Sequence, residues 1–401
     1  MIEIPNQKAN IGFYFHIPFC PHICPYCDFT KTAKFSKKDI SFYFDELEEQ
    51  LIYFIENLKE YYQQNVTIYF GGGTPGLFEA SAYKRFFNIL NNYFKIEEAT
   101  LETNPLTNFK RRLYDYRKIG FTRITLGAQS LCHSTLKILG RKHTPENVID
   151  NLNWANSAGF NNIQVDLIYG LKKEYRSKTI TEEINELVQN GATGISAYAL
   201  TIEQRTLFAK KNYSDEDNAV NEYLEILKSC SKLSLQQVET SNFSRFPTKH
   251  NNLYWYGKPY IGLGTGSHGL LPQTPDKPFG MRYRIGPSSF QEIDPGNDRL
   301  IFTDKIERGK NFSIHYESPR TKREYIDEMI FTLLRTPNGI PFSWLEKYLN
   351  KNDFLEKINK NSKFSRAIEE KNVLISDNNI ALSASEKIRG DLWASDFISL
   401  I

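Results

Sequence analysis

Over its first 240 residues the chain alternates short β-rich runs with longer stretches of helical periodicity, and this alternation restricts the fold more than any other feature. The β-rich runs fall at 12–17, 66–70, 99–102, 123–127, 163–168 and 195–200. Between them apolar residues recur at helical spacing. In the first such stretch Phe42, Leu47, Leu51, Phe54, Ile55 and Leu58 share one face, and Pro145 opens a later helix where its missing N–H costs nothing. Strands alternating with helices at this length predict parallel βαβ units. Six units are too few for a closed eight-stranded barrel, so an open or partial barrel is expected. In either arrangement the reactive site belongs at the carboxyl ends of the strands.

Polar and glycine-rich motifs sit at just those ends. A cysteine triplet follows the first run, Gly71-Gly72-Gly73-Thr74-Pro75 the second, and Glu102-Thr103-Asn104-Pro105 the third. Gln129 follows the fourth run and Asp166 lies inside the fifth. Unrelated loops would not all need polar or glycine residues at one edge.

The chain has 401 residues, which predicts two or three domains. Its 50 Lys plus Arg against 47 Asp plus Glu leave a net charge of +3, which argues against a dedicated nucleic-acid binder. No apolar run approaches the ~20 residues of a membrane span, and residues 1–10 lack the charged-then-apolar order of a signal peptide. A cytoplasmic protein is expected. The pattern changes near residue 240, giving an expected barrel at 1–240 and a smaller α+β domain at 241–401. Residues 243–320 read as loop-rich, helical periodicity returns from 322, and 373–382 carries a hairpin signal around Asp377-Asn378-Asn379. Helices followed by such a hairpin suggest a winged-helix-like end. Residues 340–401 hold nine Lys plus Arg and nine Asp plus Glu, no phosphate-seeking surplus, so packing or partner contact is the better reading of this module.

Three of the five cysteines stand in Cys20-Pro21-His22-Ile23-Cys24-Pro25-Tyr26-Cys27, a CxxxCxxC. An odd count in a reducing compartment speaks against a disulfide scaffold. Soft thiolates select zinc, copper(I) or iron–sulfur clusters. Structural zinc would need a fourth ligand, for which His16 and His22 are the candidates. A [4Fe–4S] cluster normally takes four cysteines, so three leave one iron with an open position. Cys132 and Cys230 have no ligand-spaced partner and read as small buried residues.

A CxxxCxxC loop after a first strand, with Tyr26 before the third cysteine, resembles the signature of radical S-adenosylmethionine (SAM) proteins. The resemblance implies a partial (βα)6 barrel and a [4Fe–4S] cluster on Cys20, Cys24 and Cys27. It also implies SAM chelated at the open iron by its amino and carboxylate groups, and an electron donor to the cluster, whose electron cleaves the sulfonium to a 5′-deoxyadenosyl radical. Further motifs are similar to the oxygen-independent coproporphyrinogen oxidase group: Tyr14-Phe15-His16-Ile17-Pro18-Phe19-Cys20, the glycine and Glu102 motifs, Gly127-Ala128-Gln129-Ser130, Leu139-Gly140-Arg141 and Val165-Asp166-Leu167-Ile168-Tyr169-Gly170. Tyr14, Tyr26, Gly72, Gly73, Thr74, Glu102, Gln129, Arg141, Asp166 and Ala199 match positions of that family's SAM pocket. Their chemistry suits it: glycines admit close approach, Glu102 and Asp166 accept from hydroxyl or ammonium donors, and Gln129 and Arg141 donate to a carboxylate.

Two departures separate subgroups. The oxidases carry another cysteine two residues after the third ligand, where this chain has Phe29, and they have a longer N-terminal extension than the few residues before the first strand here. Both features resemble a heme-chaperone branch of the group. His250-Asn251-Asn252-Leu253-Tyr254-Trp255 fits the HNxxYW pattern that marks heme binders in that branch. Imidazole can ligate heme iron, and Tyr or Trp can stack on a porphyrin. The implied partners are heme or another porphyrin and recipient hemoproteins, with peripheral membrane contact left open. Gly264, Gly266 and Gly269 form a GxGxxG without a following helix, which does not support a dinucleotide fold. By resemblance that loop closes the mouth of the barrel and His268 approaches the adenosyl group. The alternative is an enzyme that decarboxylates coproporphyrinogen III, or carries out another porphyrin-directed radical reaction.

Overall fold

The computed structural model describes residues 7–204, 206–286, 291–294, 299–301 and 312–401. The first six residues, and the parts of the expected loop-rich stretch at 287–290, 295–298 and 302–311, lie outside the described residues.

Six parallel strands form the centre: β1 (Ile11–Ile17), β2 (Asn65–Gly72), β3 (Lys95–Thr103), β4 (Arg123–Gln129), β5 (Asn162–Tyr169) and β6 (Gly194–Ala199). They lie side by side in sequence order, each joined to the next by a helical crossover, as consecutive βαβ units tend to do. The crossovers carry α1 (Lys37–Glu56), α2 (Ala80–Tyr93), α3 (Lys110–Ile119), α4 (His133–Ile138), α5 (Pro145–Ser157) and α6 (Ile180–Gln189). Three of these helices begin where the sequence satisfies free N–H groups. Ser36, Thr144 and Thr179 each accept from the third helical N–H and receive a side-chain bond in return, with Pro145 at the first position of α5. In α1 the core face falls on Tyr43, Phe44, Leu47, Leu51, Phe54 and Ile55, whereas Phe42 is left 36% exposed. The expected face was rotated there: Tyr43 and Phe44 hold the angle that reaches the sheet.

Alternation along each strand separates two environments. Phe13, Phe15, Ile68, Phe70, Leu101, Ile124 and Leu126 are buried in the core beneath the helices. The intervening residues (Gly12, Tyr14 and His16; Thr67, Tyr69 and Gly71; Glu98, Thr100 and Glu102; Thr125; Asp166) form the other, polar face. The sheet curves around that face, since the loop after β1 and the end of β6 line one cavity.

After β6 come α7 (Glu216–Lys232), β7 (Gln236–Gln237), β8 (Asn242–Ser244), α8 (Lys249–Trp255), β9 (Tyr260–Leu263), β10 (His268–Leu271), β11 (Met281–Gly286), β12 (Gln291–Asp294), β13 (Arg299–Ile301) and β14 (Ser313–Tyr316). The stretch read as loop-rich therefore contains a helix and strands that extend the main sheet. Its twelve strands run β14-β11-β10-β9-β1-β2-β3-β4-β5-β6-β8-β7, with β9 parallel to β1. Strands of four to six residues separated by Gly and Pro hid this pairing from periodicity. The GxGxxG is the turn between β9 and β10, with Gly264 at φ +92° and Gly266 at φ +80°.

A second core joins Leu253 and Tyr256 to α9 (Lys322–Arg335), α10 (Phe342–Tyr348), α11 (Lys351–Lys360), α12 (Ser362–Glu369) and α13 (Gly390–Ser399). A small antiparallel sheet of β15 (Ile340–Pro341), β16 (Val373–Ile375) and β17 (Asn379–Leu382) completes the winged-helix-like end, with the hairpin where the sequence placed it.

Phe70 is fully buried, stacked on Phe15 at 4.4 Å and edge-on to Tyr83 at 4.8 Å. Phe70→Ala should cost about 3–5 kcal/mol, read as a lower urea midpoint at unchanged slope.

Candidate functional site

The cysteine loop leaves β1 and is tied at both ends. Cys20 N–H donates to Thr32 O at 2.8 Å and Thr32 N–H to Pro18 O at 2.7 Å. The buried Lys31 ammonium closes the turn, donating to Cys27 O at 2.7 Å and Phe29 O at 3.1 Å. The end of β2 passes directly beneath. Gly73 N–H donates to Ile17 O and Thr74 N–H to Phe19 O, at 2.7 and 2.9 Å. A Cβ on Gly73 would lie 2.7 Å from Phe19 O, and one on Gly72, at φ +106°, would lie 2.6 Å from the His16 ring. These glycines are required by the approach of β2 to the cysteine loop.

Cys20, Cys24 and Cys27 line a cavity of about 550 Å³ at the carboxyl ends of the strands. Tyr26, Gly72, Gly73, Thr74, Glu102, Gln129, Arg141, Asp166 and Ala199 line it too. Tyr14 does not: it stays on the concave face beside Tyr69, ring centroids 5.9 Å apart, with its hydroxyl 3.1 Å from His16 Nδ1. Phe29 stands on the rim, 68% exposed.

Around the thiols, Thr74 Oγ1 donates to Cys20 Sγ at 3.7 Å and Arg141 Nη1 to Cys24 Sγ at 3.4 Å. Burial pushes the Cys20 thiol up to about 12 and also raises Cys27. At Cys24 burial acts the same way, but the His22 hydrogen bond and the Arg141 guanidinium outweigh it and the pKa falls below the ordinary value. Metal binding here must displace protons, most of all from Cys20. The donor set fits a [4Fe–4S] cluster: three thiols along one wall, with the cavity in front of them. His16 offers no fourth ligand, because Tyr14 and Thr30 O occupy both its ring nitrogens, and burial holds it neutral. Among the described residues no three His, Cys, Asp or Glu side chains gather round a point that one metal ion would occupy.

The polar wall is built from strand ends. Glu102 accepts from Tyr69 OH at 2.5 Å and from Gly72 N–H at 3.1 Å. Arg141 Nη2 donates to Asn104 Oδ1 at 2.5 Å and to Gly127 O at 2.7 Å, and Asn104 in turn donates to Thr74 Oγ1 at 3.0 Å. Asn104 thus links the arginine to Thr74 and, through it, to Cys20, a role that its place in the Glu102 motif did not reveal. Gln129 sits at a register shift between β4 and β5 with φ +68°, a strained conformation that sparse sequence signals cannot predict. Tyr198 also lines the cavity and went unread, because no glycine or cysteine accompanies it.

The HNxxYW segment lies elsewhere. His250 enters the amino-terminal end of the curved sheet, fully buried, with Nδ1 2.7 Å from Thr67 Oγ1 and Nε2 2.7 Å from Tyr254 OH. Lys249 N–H and His250 N–H both donate to Glu98, which fixes the start of α8. Trp255 faces the second core, 4.8 Å from the Arg335 guanidinium, and Asn251 is half-buried. His268 is exposed on β10 and does not line the cavity. The glycine turn beside it does reach the cysteine loop, where a Gly266 Cβ would lie 2.5 Å from Thr30 Oγ1. Cys132 and Cys230 are buried thiols.

A curved parallel sheet with three cysteines facing a polar cavity defines a radical SAM protein, and residues 14–185 match the Radical SAM superfamily. That class carries a [4Fe–4S] cluster and SAM. The backbone is similar to coproporphyrinogen III oxidase (HemN) from Escherichia coli, with a TM-score of 0.73 and 16% identity over 98% of this chain and 90% of that one. The chain is 31% identical over 359 residues to the heme chaperone HemW of Lactococcus lactis subsp. lactis (strain IL1403), covering 86% of each chain. It is 28% identical over 348 residues to the heme chaperone HemW of Bacillus subtilis (strain 168), covering 84% of this chain and 86% of that one. The chain belongs to the HemW family.

Asp166 provides a pH test of the site. Burial, helped by the Glu102 carboxylate, raises it from the usual carboxyl range to about 7. Between pH ~4 and 7 the unfolded chain loses this proton while the folded chain keeps it, so folded stability falls as pH rises through that window. Urea midpoints of the metal-free protein should decline from pH ~4 to 7 relative to Asp166→Asn, then run parallel above it.

Proposed function

We propose that this protein is a heme chaperone that binds heme, a [4Fe–4S] cluster and SAM, and delivers heme to hemoproteins. The near full-length identity to HemW proteins carries this reading, against a likeness to the oxidase that lies in the fold. Phe29 at the cavity rim, where the oxidases have a cysteine, agrees with it.

In this reading Cys20, Cys24 and Cys27 would hold the cluster, which would supply an iron with one open position and one-electron redox chemistry driven by a donor protein. The chain's own residues prepare the cavity in front of it. Arg141, held by Asn104 and Gly127 O, presents a fixed guanidinium beside Cys24, suited to SAM's carboxylate. Glu102 and Asp166 accept from the ribose hydroxyls and ammonium, Gln129 donates, and Gly72 and Gly73 leave room. Thr74, Tyr26 and Ala199 complete the walls, and Tyr14 supports them through its contact with His16.

Heme is assigned to His250, Asn251, Tyr254 and Trp255. With both imidazole nitrogens engaged, ligation of heme iron by His250 requires α8 to leave the floor of the barrel. The free thiols suit a reducing cytoplasm, and among the described residues no helix is long and apolar enough to cross a membrane.

Titrating heme into the anaerobically purified protein should shift the Soret band, and His250→Ala should weaken that binding by about tenfold or more. A wild type that produces no shift would overturn the chaperone reading.

A further inference from the structure

His250 is within two side-chain steps of the cavity acid Glu102. Thr67, Tyr69 and Gly71 lie on one face of β2, and the His250 ring packs 5.1 Å from the Tyr69 ring. Tyr69 also meets Tyr14, ring centroids 5.9 Å apart, and these two ring contacts limit the freedom of the phenol to swing. Its hydroxyl donates to Glu102 Oε1 at 2.5 Å, and Glu102 lines the cavity.

The imidazole is equally fixed. Thr67 holds Nδ1, Tyr254 holds Nε2, and the missing side chain of Gly12 makes the space, since a Cβ there would lie 2.8 Å from His250 Cε1. Glu98 anchors the backbone of α8 at the same point. A rigid column therefore runs from the floor of the barrel to its mouth: α8, His250, Tyr69, Glu102.

We propose that Tyr69 and His250 are positioning residues for SAM: Tyr69 fixes the Glu102 carboxylate that accepts from the ligand, and His250 fixes Tyr69. The inference rests on reading the cavity as the SAM site, and it gives the histidine of the HNxxYW segment a task at that site distinct from heme. Glu102 without the phenol donor would keep only the Gly72 N–H and would be free to turn away. A lost hydrogen bond to a charged acceptor corresponds to about a tenfold weaker affinity. Removing the imidazole opens a void beneath Tyr69 and leaves Thr67 and Tyr254 unpaired, with a similar effect at the cavity.

The test is the dissociation constant for SAM, measured calorimetrically on the full-length, anaerobically reconstituted protein at matched iron content. Tyr69→Phe and His250→Ala should each raise it about tenfold. His250→Asn, which restores a polar group toward Thr67, should raise it less than His250→Ala. Lys249→Ala, on the same helix but paired with Glu97, should leave it unchanged. A general loss of packing would lower thermal stability without this ordering of SAM affinities. Wild-type affinity in Tyr69→Phe, or in a fully loaded His250→Ala, overturns the proposal. If His250→Ala fails to fold, Tyr69→Phe decides alone. A wild type that does not bind SAM overturns the reading of the cavity, and the inference falls with it.

Discussion

Everything at the site depends on how closely the end of β2 passes under the cysteine loop. Gly73 N–H and Thr74 N–H hydrogen-bond the backbone leaving β1, and no side chain larger than hydrogen fits at Gly72 or Gly73. That contact places Thr74 against Cys20 and sets Gly72 N–H on Glu102, so the thiol wall and the first acid are positioned by one strand crossing. The parallel pairing of β1 with β2 that delivers it is reinforced by the stacked Phe15 and Phe70 beneath the helices.

The concave face is unusually polar for the inside of a sheet. Glu98, Glu102 and Asp166 are all raised above the usual carboxyl range by burial, and the buried Arg123 opposes the shift at each of them. Arg123 Nη1 donates to Thr125 Oγ1 rather than to a carboxylate. Such a face costs stability that the aromatic core must offset, and it keeps a ready set of acceptors for a cationic ligand. The same face continues to the floor, where α8 closes it with Glu98 at its start and His250 inside.

Much of this was legible in the sequence because strand ends and motifs coincide. The six strands, the cysteine loop and the motifs at Gly72, Glu102, Gln129 and Asp166 follow from β-rich runs bounded by glycine or polar residues at one edge, whereas Tyr26, Arg141 and Ala199 were reached only through the family resemblance. Tyr69 was missed although it shares a face with Gly71, since an aromatic in a strand reads as core. The position of His250 was equally out of reach: its partners Thr67 and Glu98 are more than 150 residues away, and only the fold brings α8 under them. Strands β9 to β11 were too short, and too broken by glycine, for periodicity to register.

The central claim is that Cys20, Cys24 and Cys27, which line the cavity, would hold a four-iron cluster with one iron left open to SAM. The direct measurement is iron and sulfide analysis after anaerobic reconstitution, joined to the electron paramagnetic resonance spectrum of the reduced protein with and without SAM. About four iron and four sulfide per chain, with a spectrum that changes on adding SAM, is the predicted result. Stoichiometric zinc without iron, or a cluster spectrum that SAM leaves unaltered, would contradict it.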